Sequence, residues 1–408
     1  MGPQHLKRFL RYASKVFAFR ALVKGYDDYR QHPQIAPAQV LLAAFWLWIF
    51  QWRSFNQLER RMTDPAWRHL QLVPGRPGSV DTLAYALKRA DLPALRQALT
   101  AVIRRAHRTK TWAAGTVGRW CVVAIDGTEL HVTRRRHCSE CCVRRVGPPQ
   151  APRPQYYHRA VLAQLVGKPP RMLLDGEPIL PGEGERDAGR RLLTRVLEAH
   201  GRWIDLVVAD AEYAAADWIN RVGARVWVLI RLKDRRFTVV QDAEGLLAGQ
   251  PPLALWRRED GQEVQAWEIW DMTSWEGVER PLRVVRFREP SPDGVVREHL
   301  FATTCPRQVG LQDLWRCAHA RWDIENTAIH DLKHHWHASH CFVHDPTAME
   351  ALLLIGLLAV NLLWAYTYRH LVPHGLRLSV SAVVDALVSG YHQLTAPVRW
   401  AIPHWDTS

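Results

Sequence analysis

Up to about residue 109 the apolar positions recur at helical spacing, and no segment alternates as a strand does. Residues 40–52 are apolar nearly all round, which predicts a helix buried in a core. Ser54, with Gln57 three residues on, predicts the cap of the next helix. Pro74-Gly75-Arg76-Pro77-Gly78 breaks the pattern. Helices are then expected over residues 79–90 and 92–108, the second ending in Arg104-Arg105-Ala106-His107-Arg108. After Thr116 the period changes. Residues 120–125 form a continuous apolar run rich in β-branched side chains, the mark of a buried strand. It ends at Asp126-Gly127-Thr128, with residues 129–133 able to continue it. Strands are also expected over 157–166 and 171–179, parted by Pro169-Pro170. A helix over 184–200, a strand over 203–209 that ends at Asp210, a helix over 217–222 and a strand over 225–232 follow.

Three successive strands, a helix, a strand, a helix and a strand make the connectivity of a ribonuclease-H-like α/β sheet. Residues 236–304 read as an inserted sheet, with β-rich runs at 263–270 and 282–288, and helical spacing resumes at Leu311. The expected organisation is a helical part over 1–115 that docks on DNA or is a plain helical bundle, the first part of the ribonuclease-H-like domain over 116–235, a β-rich insertion over 236–305, the rest of that domain over 306–372 and a helical tail over 373–408. On a helical wheel Trp322, Ile329, Leu332 and Trp336 share one apolar face with Glu325 among them. A carboxylate aimed at a core needs a partner, and Arg321, four residues earlier, is placed to be one.

Charge sharpens this picture. The chain of 408 residues carries 54 Lys and Arg against 40 Asp and Glu, a formal charge of +14 with a pI near 9.8. Such a surplus suits a polyanion, because neutralising phosphates releases counterions. Seven cysteines, with a basic, charge-broken start in place of a signal peptide, point to the reducing cytoplasm. Residues 40–50 are too short to span a bilayer, and residues 351–366 carry Asn361, so both are expected to be buried helices rather than membrane spans.

Asp126 and Asp210 each end an expected central strand, and Glu325 lies on a helix able to cross them. Taken singly, Asp126 reads equally well as a turn residue and Asp210 as a helix cap. Taken together, three carboxylates suit Mg²⁺ or Mn²⁺, and two such ions stabilise the attacking and leaving oxygens of a phosphoryl displacement.

Asp126-Gly127-Thr128, Ala209-Asp210-Ala211-Glu212-Tyr213 and Arg321-Trp322-Asp323-Ile324-Glu325 resemble the three motifs of insertion-sequence transposases of the DDE class, over most of the chain. The resemblance implies a retroviral-integrase-like catalytic domain with a β-rich insertion before the last acid, and Asp126, Asp210 and Glu325 as catalytic metal ligands. It also implies metal-dependent cleavage at transposon ends and strand transfer into target DNA, with double-stranded DNA as partner of a homodimer. In the family's third motif a tyrosine, an arginine, the glutamate and a lysine recur. Ala318 stands at the tyrosine position and Leu332 at the lysine position, with Lys333 one residue further, a rotation of about 100° on an α-helix. Arg321 and Lys333 are expected at phosphates, and Arg134, Arg135, Arg136, Arg144 and Arg145 form a basic patch that touches DNA or is simply solvated. The rival readings are a nuclease of the same fold without strand transfer, a DNA-binding repressor with an idle catalytic domain, and a zinc-dependent regulator.

Cys138 and Cys141 supply half of a zinc site, with His131 or His158 able to extend it. Reduced loop thiols are the favoured reading, since structural zinc wants four ligands. His334, His335, His337, His340 and His344 are read as ordinary core or surface imidazoles, and Trp322 as a packing residue in preference to a ring that stacks on an extruded base.

Overall fold

The computed structural model describes residues 3–290, 294–374 and 379–394. The chain opens with helices α1 (Pro3–Phe17), α2 (Phe19–Lys24), α3 (Pro37–Ile49), α4 (Phe55–Met62), α5 (Val80–Leu87) and α6 (Leu92–Arg108). Strands β1 (Val122–Thr133), β2 (Cys142–Val146), β3 (Arg153–Leu165) and β4 (Leu173–Ile179) follow. Then come α7 (Glu185–His200), β5 (Leu206–Ala209), α8 (Ala216–Gly223), β6 (Trp227–Leu232) and α9 (Thr238–Leu247). Four more strands, β7 (Ala254–Arg257), β8 (Glu263–Met272), β9 (Leu282–Pro290) and β10 (Val296–Thr303), precede α10 (Leu311–Ala320), a π-helical turn (Ile324–Ile329), α11 (His330–His334), α12 (Pro346–His370) and α13 (Val380–Gln393). Of the expected helical tail, residues 375–378 and 395–408 lie outside the described residues.

Local chemistry explains several boundaries. Ser54 Oγ accepts from Gln57 N at 3.1 Å while Gln57 Oε1 accepts from Arg53 N at 2.9 Å, so the start of α4 is capped from both sides. Asp91 and Asp345 cap α6 and α12 from one side, accepting from Ala94 N and Ala348 N.

The described strands form one sheet in the order β2-β3-β1-β5-β6-β10-β9-β8-β7, with β4 also on β3. β1 runs antiparallel to β3 and parallel to β5, and β5 parallel to β6. β4-β3-β1-β5-β6 is thus the ribonuclease-H-like core. Two expectations need correction. The insertion is not a separate sheet: β10 pairs with β6, so its strands extend the central sheet and cover an edge that would otherwise be unpaired. It also contains α9, which the β-rich reading passed over. β1 runs on past Asp126-Gly127, as residues 129–133 allowed. It continues to Thr133, because β3 supplies partners through the dipeptide, Asp126 opposite Leu162 and Gly127 opposite Val161.

α12 runs through the middle of the molecule, packed on α3, α6 and β4. Among the described residues it is the one helix long and apolar enough to cross a membrane, yet 89% of its apolar window is buried inside the fold. α3, buried from Ala38 to Ile49, lies along it, and a Cβ on Gly356 would come within 2.7 Å of the Trp48 ring, so the two helices touch through that glycine. Asn361 is fully buried, and its side chain pairs with the backbone of Leu173 at the edge of β4: Oδ1 accepts from Leu173 N at 2.8 Å and Nδ2 donates to Leu173 O at 2.7 Å. Asn361→Ala would leave an amide and a carbonyl orphaned in the core. The expected loss is roughly 2–5 kcal/mol in urea unfolding, and a loss under about 1 kcal/mol would show that water takes over both groups.

Candidate active site

β1 and β5 are in parallel register at Val122 with Leu206, Val123 with Val207 and Ala124 with Val208. Counted two residues further, that register sets Asp126 level with Asp210. Asp126 is still within β1, whereas Asp210 has just left β5 and caps a short 3₁₀ turn, its Oδ1 accepting from Glu212 N at 2.8 Å. The third acid arrives from the far side. Glu325 lies in the π turn, whose start is tethered to the β3–β4 connection: Asp323 accepts from Gly167 N at 2.8 Å and pairs with Arg171 at 3.0 Å. Buried Ile324, Ala328 and Leu332 press this segment onto the sheet.

Arg321 joins the two ends of the site. Its Nη1 lies 2.7 Å from Glu325 Oε1 and 3.6 Å from Asp126 Oδ2, so the ion pair expected from the four-residue spacing is present and extends to the strand acid. Arg321 is 7% exposed, but the Glu325 side chain remains 36% exposed, which leaves the carboxylates open to solvent.

A fourth acid stands here that the sequence did not single out. Glu185, the first residue of α7, accepts from the buried Tyr213 hydroxyl at 2.9 Å. Its carboxylate lies over Gly127, where a Cβ would run into Glu185 Oε2. An acid in the first turn of a helix is ordinary, so nothing in the sequence marked it. Burial, and then the Glu325 carboxylate, push Asp126 up to about 8 against the pull of Arg321. Burial, helped by Asp210 and Glu212, raises Glu185 as well.

Buried acids elsewhere are balanced differently. Asp175 and Glu177 on β4 are met by Arg96, Arg191 and Arg195, a structural network linking α6 and α7 to the sheet. Among the described residues, the acids gathered around Asp126 have one ion-paired guanidinium, Arg321. Oxygen-only donors with a deficit of positive charge fit a hard divalent cation.

A family model for the transposase DDE domain matches residues 120–362, from the start of the central strands through Glu325 into α12. The chain belongs to the DDE transposases. No curated protein matches the sequence. Among solved structures, the chain is similar to the piggyBac transposase in a synaptic complex with hairpin DNA, at 10% identity and a TM-score of 0.46, over 97% of this chain and 80% of that one. It is also similar to the NurA nuclease from Sulfolobus solfataricus, at 13% identity and a TM-score of 0.25, over 64% of this chain and 93% of that one. Both likenesses are too distant to carry an assignment of activity.

In this transposase the π turn bears directly on Lys333. A π turn closes its hydrogen bonds one residue later than an α turn and so absorbs an extra residue. Lys333 thereby takes the direction that position 332 would have on an unbroken α-helix, and both Asp126 and Glu129 act on its ammonium, while burial lowers its pKa. Leu332 points inward instead and is 2% exposed. The same wide turn corrects the wheel for Trp322, which was expected to pack in the core. It is 44% exposed, with the Arg321 guanidinium 4.4 Å from its ring centre.

The basic residues Arg134, Arg135, Arg136, Arg144 and Arg145 are all exposed, in the connection from β1 to β2 and along β2. Arg144 is partly engaged, with Glu129 at 2.8 Å and over the Tyr157 ring. One reading of the histidines also changes. His344 is no isolated imidazole: its Nε2 is 3.2 Å from Cys141 Sγ, and His158 lies against the same thiol.

Proposed function

We propose that this transposase cuts the ends of a mobile DNA element and joins them to target DNA, with Asp126, Asp210 and Glu325 as the ligands of two magnesium or manganese ions. The observation that carries the reading is the joining of Asp126 and Glu325 through one guanidinium, with Asp210 level with Asp126 across adjacent strands. Magnesium held by these oxygens would supply Lewis acidity to the scissile phosphate and lower the pKa of the attacking water or 3′-hydroxyl. The protein's own groups do the rest. Asp126 releases its proton as a cation approaches, Arg321 keeps the strand acid and the helix acid in reach of each other, and Tyr213 holds Glu185 beside Asp126. Lys333 faces a phosphate oxygen.

DNA is received by a surface of matching charge. We assign Arg134, Arg135, Arg136, Arg144 and Arg145 to backbone contacts, and residues 1–115, with the basic end of α6, to recognition of the element's ends by a homodimer in the cytoplasm. The test is incubation with Mg²⁺ and DNA carrying the sequences that flank the element, followed by analysis of the products. The expected outcome is joined molecules that depend on the metal. Cut ends without joining would reduce the activity to that of a nuclease, and salt-sensitive binding without metal-dependent cutting would make the protein a repressor.

A further inference from the structure

The loop that follows β1 carries Cys138 and Cys141, the middle of β3 carries His158, and the segment leading into α12 carries His344. These residues come from three separate parts of the chain, and one ligand atom from each lies within 4.8 Å of all the others. The individual separations are more telling. The two Sγ atoms are 3.7 Å apart, His158 Nε2 is 3.4 Å from Cys138 Sγ and 3.3 Å from Cys141 Sγ, and His344 Nε2 is 3.2 Å from Cys141 Sγ.

A tetrahedron with zinc–sulfur bonds of about 2.3 Å and zinc–nitrogen bonds of about 2.0–2.1 Å has edges of roughly 3.7 Å between sulfurs and roughly 3.5 Å between sulfur and nitrogen. The observed edges lie within a few tenths of an ångström of these values. Both imidazoles present Nε2 inward, and all seven cysteines are free, so the Cys138–Cys141 pair is not closed as a disulfide. The Cys138 amide donates to Cys141 Sγ at 3.3 Å, the kind of bond that steadies a thiolate. The neighbouring Cys142 turns away, toward Ile179 O at 3.9 Å.

We propose that Cys138, Cys141, His158 and His344 bind a structural zinc ion, distinct from the carboxylate site. The donor set decides the metal. Two thiolates and two imidazoles select zinc, whereas oxygen donors select magnesium. His131 and Cys341 crowd the other side of His344 as a second group, but it offers three ligands and shares that histidine. The bound ion ties the outer part of the β1–β3 pair to the chain that leaves the Glu325 segment. It thus fixes the Arg134–Arg136 stretch, which ends two residues before Cys138, relative to the proposed catalytic acids.

The test uses the full chain, purified without a histidine tag or chelator. Metal analysis is expected to give about one zinc per chain, and replacement by Co²⁺ is expected to give a thiolate-to-cobalt charge-transfer band in the near ultraviolet with the intense red bands of tetrahedral coordination. Cys141→Ser and His344→Ala should each lose most of the zinc, while Asp126→Ala should keep it. A wild-type protein that takes up no zinc after reconstitution, or whose cobalt spectrum lacks the thiolate band, overturns the proposal even if the cysteine variants do not fold. A Cys141→Ser protein with undiminished zinc overturns it too, by placing the metal elsewhere.

Discussion

Asp126→Ala and Glu325→Ala are each expected to lower cleavage of element-end DNA by at least about a thousandfold, with binding of that DNA unchanged. The loss follows from the geometry. Each side chain contributes carboxylate oxygens to the site, and neither lies among the basic residues of the β1–β2 connection and β2. Single-turnover cleavage and a binding isotherm at the same salt concentration check both halves, and cleavage by Asp126→Ala at the wild-type rate would remove Asp126 from the site.

The titration of Asp126 adds a sign to the prediction. Its folded-state pKa of about 8 lies above the value near 4 of an unfolded chain. Between those values the folded state holds the extra proton, so Asp126 makes stability fall as pH rises through that window, and below it the two states do not differ. A divalent cation binds the carboxylate form. Magnesium should therefore raise the melting temperature more near pH 9 than near pH 6, and Asp126→Asn should flatten that difference. An equal magnesium effect at both pH values would contradict a protonated Asp126.

The second large effect concerns the lysine. Lys333→Ala is expected to slow cleavage by about ten- to a hundredfold without altering stability, as the loss of one phosphate contact does. Restoring the family's spacing should do worse. In the exchange of Leu332→Lys with Lys333→Leu, an ammonium replaces a side chain that is 2% exposed, and the cost of burying it unpaired is several kcal/mol. The double variant is expected to be largely unfolded or insoluble. If it folds and cuts DNA normally, the π turn does not set the direction of Lys333.

The strand order of the core was legible because each strand is a compact apolar run bounded by Gly, Pro or an acid, and because an acid that ends such a run stands out. The limits were equally physical. Asp126-Gly127 reads as a turn until β3 supplies a ladder partner, which no local pattern announces. Trp322 and Lys333 were placed with a uniform 3.6-residue period, and a single π turn rotates the residues before it against those after it. Glu185 had the look of a normal first-turn acid. His344 stands more than two hundred residues from Cys138, so only the folded chain brings the pair together.

The arrangement of α3 under α12 also bears on how the protein comes into being. During synthesis the N-terminal helices leave the ribosome first, and α3 is apolar on every side. The helix that covers it most is among the last segments to emerge. For most of translation, then, the Trp48 ring, which packs on Gly356 of α12, waits without its cover, and the exposed apolar side of α3 is prone to aggregation. Yield in the cell is therefore expected to depend on that delay as well as on the finished protein's stability.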